Sequence, residues 1–103
     1  MFGKKDFRVK LESHGRGGWI IYSCISELRF PWEVSGVNGI DISIPTAERW
    51  EAFCLKNDAE WAIPLRRTIL ERLAAKAVKR YWWGGASEIG EHWIHIRSSK
   101  WYL

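Results

Sequence analysis

Phe7, Val9 and Leu11 alternate with Arg8, Lys10 and Glu12, a period of two that predicts a half-buried strand over residues 7–11. The run Ser13-His14-Gly15-Arg16-Gly17-Gly18 supplies residues able to take positive φ. It predicts a hairpin turn into a second strand, Trp19–Ser26, rich in β-formers on both faces. Leu28, Phe30, Trp32 and Val34 resume the alternation against Glu27, Arg29 and Glu33. Pro31 lies within this third strand and lacks an N–H, which predicts an edge position or a bulge there. After the turn Ser35-Gly36-Val37-Asn38-Gly39, a fourth strand puts Ile40, Ile42 and Ile44 on one face with Asp41 and Ser43 opposite.

At Pro45-Thr46 the period changes. Thr46 predicts an N-cap, Glu48 suits the first turn, and Trp50, Phe53 and Cys54 recur at helical spacing in a short helix ending near Asn57. Pro64 suits the first position of a longer helix, about 64 to 82, in which Leu65, Ile69, Leu73 and Ala77 form a stripe joined by Leu70, Ala74 and Tyr81. Gly84-Gly85 ends it. His92–Arg97 alternates again, with Ile94 and Ile96 facing one way and Trp93 and His95 the other. The order β-β-β-β-α-α-β predicts an α+β fold, a mostly antiparallel sheet of about five strands with the long helix on one face.

The 103 residues (12.1 kDa) suit one domain spanning 1–103. A hydrophobic share of 47% and a charged share of 27% exclude a disordered or low-complexity chain. Met1 to Leu11 has no continuous apolar run and Trp19 to Ile25 is broken at Ser23, so neither a signal peptide nor a membrane span is predicted and the expected location is cytoplasmic. Cys24 and Cys54, thirty positions apart, read as buried free thiols.

The formal charge is +4, and its distribution matters more than its size. Residues 1–63 net −1, residues 64–83 net +5 and residues 84–103 net 0. The excess belongs to the long helix, where Arg72, Lys76 and Lys79 share a face away from the apolar stripe. Such a ridge is either a solvated helix face or a footprint for nucleic acid or an acidic protein.

Chemical motifs are sparse. Gly15-Arg16-Gly17-Gly18 leads into a strand and offers an anion no helix N-terminus. His92 and His95 fall on opposite faces of the predicted strand and the cysteines are unpaired in spacing, so no metal site and no cofactor are predicted. The serines lack a nucleophile-elbow context, and the pairs Glu48/Glu51 and Glu88/Glu91 lie in wet segments, which predicts a non-enzymatic protein. Eight tryptophans stand out. Trp19, Trp50, Trp61 and Trp93 fit a core between helix and sheet. Trp82 and Trp83 at the helix end, with Trp101 and Tyr102 at the chain end, fit an interaction surface for a partner protein, a homodimer mate or stacked bases.

Phe30-Pro31-Trp32-Glu33, then Ile40-Asp41-Ile42-Ser43-Ile44-Pro45, then Trp50, then Arg66-Arg67-Thr68-Ile69-Leu70-Glu71-Arg72-Leu73 resembles, over roughly residues 17–97, single-domain immunity proteins of bacterial polymorphic toxin systems. The resemblance implies a protein that binds and neutralises a cognate toxin and carries over no binding residues. An inhibitor that mimics nucleic acid should be acidic, so this basic chain would block its toxin by shape or by meeting an acidic surface. The competing layout, four strands then a helix, resembles coactivator-like and Whirly-like single-strand binders. On that reading Lys4, Lys5, Arg8, Lys10 and Arg16 would hold phosphates and Trp19 or Tyr22 would stack bases.

Overall fold

The computed structural model describes residues 7–36, 39–80 and 85–97. Gly15 takes φ 72° at the first central position of a two-residue turn, where a type II′ hairpin needs glycine, and so joins β1 (Arg8–His14) to β2 (Gly17–Ser23). β3 (Glu27–Ser35) and β4 (Gly39–Ser43) follow. Then come α1 (Ala47–Lys56), a 3-10 helix (Glu60–Leu65), α2 (Arg66–Arg80), β5 (Ala86–Ile89) and β6 (Trp93–Arg97). The six strands form one antiparallel sheet in the order β1-β2-β3-β4-β6-β5.

The α+β class follows the sequence pattern, and several details depart from it. β5 is an additional strand: Ala-Ser-Glu-Ile has no apolar alternation, and it is extended by backbone pairing with β6, with Ile89 packed against the core. The long helix begins at Arg66, because Trp50 Nε1 donates to the Ala62 carbonyl (3.0 Å) and holds 60–65 in tighter 3-10 turns that contain Pro64. Leu65, expected on the buried stripe, is therefore exposed. The end of that helix beyond Arg80, with Tyr81 and Gly84, lies outside the described residues. Thr46 does cap α1, its Oγ1 accepting from the Arg49 N–H at 3.3 Å. Pro31 sits one residue past Trp32, where the β3–β4 ladder stops, so its missing N–H lies where β3 is locally an edge.

Strand parity separates two faces. Ile20, Tyr22, Leu28, Phe30, Ile40, Ile42, Ile94 and Ile96 point inward and are buried against Trp50, Cys54, Ile69, Leu70, Leu73 and Ala77 of the helices. Among the described residues no helix covers the opposite face. Trp19 and Trp93, expected in the core, belong to that uncovered face: Trp19 shares the parity of Ile21 and Trp93 that of His95. The cause is that β2 is apolar on both sides, so its composition does not reveal which side is buried. Cys24 is exposed in the β2–β3 connection, correcting its reading as buried. Cys54 is buried in α1, and burial pushes its thiol up from the ordinary range.

Two substitutions test this packing. Leu73→Ala should cost about 2–5 kcal/mol in chemical denaturation through lost burial and a residual cavity. A change within the surface range of about 0.5 kcal/mol would place α2 the wrong way round. Gly18→Ala should be destabilising by at least about 1–3 kcal/mol, because a Cβ there would stand 1.9 Å from the Glu12 carbonyl oxygen.

Candidate functional site

Arg72, Lys76 and Lys79 lie on the flank of α2 that faces β1, and the fold brings Arg8 of the edge strand to them. Together with Phe7 and Val9 they line a shallow groove of about 290 Å³ whose charged side chains are four cations and no acid. The cations are not equivalent. Arg72 Nη1 donates to the Tyr22 hydroxyl at 2.6 Å, and its guanidinium stands 3.8 Å from the centre of the Phe7 ring. Phe7 in turn stacks on Tyr22 at 5.5 Å and 8°. Arg72 thus clamps α2 to the sheet through a charge-assisted hydrogen bond and a cation–π contact, presenting its remaining charge at the groove floor. Lys76 is half-buried and Lys79 exposed, so these two with Arg8 form the accessible charge.

Among the described residues the groove contains no open stacking platform. Tyr22, assigned to base stacking on the nucleic-acid reading, is 1% exposed in the core. Phe7 is engaged by Tyr22 and Arg72, and Trp19 lies on the opposite face of the sheet. Lys4, Lys5, Trp82, Trp83, Trp101 and Tyr102 lie outside the described residues.

The uncovered face holds a second cluster. His95 Nδ1 and Asp41 Oδ1 are 2.5 Å apart across the β4–β6 pair. Glu33 stands opposite Asp41 and Glu88 opposite His95 in register. His92, expected on the face away from His95, instead precedes β6 and lines the same depression. Among the described residues no hydroxyl or thiol is bonded to the His95 imidazole, and no three His, Cys, Asp or Glu side chains are grouped to hold a metal ion. The pair orients His95 and ties β4 to β6. The register that aligns Glu33, Asp41, His95 and Glu88 arises from strands distant in sequence, and only the polar parity of each strand hinted at it.

No helix among the described residues is long and apolar enough to cross a membrane.

Replacing Arg72 by Ala should destabilise the fold by about 2 kcal/mol through loss of the charged hydrogen bond and the ring contact, whereas Lys79→Ala should stay within about 0.5 kcal/mol. Equal losses in thermal or urea denaturation would contradict the division of structural and accessible cations.

Comparison of the chain with protein-family models, with curated proteins and with solved structures finds no match.

Proposed function

We propose that this chain is a non-enzymatic binding protein whose groove between β1 and α2 takes an acidic surface of a protein partner. The observation that carries the reading is the gathering of Arg8, Arg72, Lys76 and Lys79 around one depression with no carboxylate among its lining side chains. Such one-sign clustering steers and orients an acidic partner. The resemblance to immunity proteins supplies the class of partner, a bacterial toxin that the chain binds and neutralises. Trp82, Trp83, Trp101 and Tyr102 remain proposed anchors on sequence grounds, since large aromatics provide most hot-spot energy. Single-stranded nucleic acid is the second reading, supported by the same cations. It is weakened by the burial of Tyr22 and the engagement of both flanks of the cation–aromatic cluster by protein groups.

A photo-crosslinking residue at position 76, with a control on the exposed face of α1 at position 51, separates the two readings in native cells. The expected outcome is a single protein adduct at 76, insensitive to nuclease and absent at 51. In the variant Arg8→Gln, Lys76→Gln, Lys79→Gln, affinity for that captured protein should fall at least about tenfold, or about 1.4 kcal/mol. Nuclease-sensitive adducts, or micromolar binding of oligothymidylate at about 0.15 M salt that the triple variant abolishes, would favour nucleic acid instead.

A further inference from the structure

The uncovered sheet face is ordered by charge. Register places Lys10, Ile21 and Arg29 side by side across β1, β2 and β3, with Arg8 and Glu27 in the row beyond them on β1 and β3. The next outward-facing row runs Glu12, Trp19 and Pro31 across β1, β2 and β3, and past the end of the β3–β4 ladder Ser43 and Trp93 pair across β4 and β6. On its far side lie Glu33, Asp41, His95 and Glu88, with Arg97 in the row beyond them on β6. One corner, Arg8, Lys10 and Arg29 with Glu27, is therefore net basic and the other, Glu33, Asp41 and Glu88 with Arg97, net acidic, and they flank a band that holds two tryptophans and a proline. Trp19 is 38% exposed and Pro31 is exposed. Ile21 is only 3% exposed although no helix among the described residues covers it, which fits cover by the aliphatic stems of Lys10 and Arg29 on either side.

We infer that this face pairs with the same face of a second copy of the chain. A two-fold axis lying in the interface, perpendicular to the line between the corners and passing near Pro31, sets the basic corner of each copy on the acidic corner of the other. It also lays the two aromatic bands together. The contact is isologous and closes at two subunits, and the strands of the two sheets cross steeply, as in orthogonal sheet packing. A heterologous partner has no need of a face that is complementary to itself. Five gaps of about 4.8 Å and seven residues of about 3.3 Å give the face at most roughly 550 Å² in projection, a little below the about 800 Å² per partner of a standard interface. The pairing is accordingly weak, in the micromolar range, and sensitive to salt. Arg8 borders both this face and the basic groove, and the variants below leave it in place, so the two readings are tested separately.

Charge reversal tests it. In one variant Lys10→Glu is combined with Arg29→Glu; in the other Glu33→Lys is combined with Glu88→Lys. All four positions are exposed, and Asp41 is left in place because it holds His95. By sedimentation equilibrium from about 1 µM to about 1 mM, the wild-type chain is expected to dimerise, less so as salt is raised. Each variant alone should be monomeric, and an equimolar mixture should recover the dimer, because reversed corners then meet opposite charge at both contacts. A wild-type chain that is monomeric throughout, a dimer indifferent to either variant, or a mixture that behaves as the sum of its parts would overturn the inference. Should a reversal fail to fold, Lys10→Gln with Arg29→Gln should weaken dimerisation at least about tenfold, and an unchanged constant would overturn it equally.

Discussion

The seating of the Trp50 indole decides how the helical layer meets the sheet. Its ring lies parallel to Phe30 of β3 (6.2 Å, 4°) and tilts against Phe53 of its own helix (5.6 Å), while Nε1 donates to the Ala62 carbonyl in the 3-10 helix. The Arg66 guanidinium stands 5.9 Å from the same ring and reaches with Nη2 to the carbonyls of Pro45 and Glu91. One side chain thus joins a central strand, both helical segments before α2 and the first residue of α2. A buried indole without its carbonyl partner would carry the full desolvation cost of the N–H, so the position of the 3-10 helix follows from that of Trp50. Trp61 makes the matching tie on the other side: Nε1 donates to Ser26 Oγ, which donates to the Asp58 carbonyl and so fastens the β2–β3 connection to the end of α1.

Because all the helix described here lies on one side of the sheet, the molecule has two chemically different surfaces. On the helical side the apolar stripe is consumed by the core, and what remains outward on α2 is net cationic, with Glu71 the acid among Arg67, Arg72, Lys76, Lys79 and Arg80. On the other side each strand shows its second set of residues, which no helix among the described residues covers. Their net charge is opposite at the two corners, with Lys10–Glu12 and Arg29–Glu27 as loose pairs at 3.6 and 3.7 Å. Such pairs hold little stability. Their carriers are free to exchange partners when another charged surface approaches.

Much of this was legible in the sequence. The alternation at Phe7–Leu11, Leu28–Val34 and Ile40–Ile44 marks real strands, and the stripe Ile69, Leu73, Ala77 marks the buried face of α2, because one-sided burial imposes those periods. The cap at Thr46 was legible because it is local chemistry. What depends on distant pairing was not. β5 depends on its pairing with β6 more than on any pattern in its own residues, and the outward placing of Trp19 depends on which side of an apolar strand the helices choose. Arg72 reads as one more surface charge until Tyr22, fifty positions away, meets it. The groove at α2 combines a helix periodicity that sequence reveals with an edge-strand residue, Arg8, that only topology brings near.

The concentration of charge on a single helix has a kinetic consequence. Residues 64–83 net +5 while the remainder is close to neutral, so the molecule carries a permanent electric dipole directed through α2. In the field of an acidic body it experiences a torque before contact and turns that helix forward during approach, which raises the fraction of collisions that begin in a productive orientation. The gain lies within a Debye length, about 8 Å at physiological ionic strength. Recognition therefore begins with rotation, and the time the chain spends misaligned shortens as the salt around it is diluted.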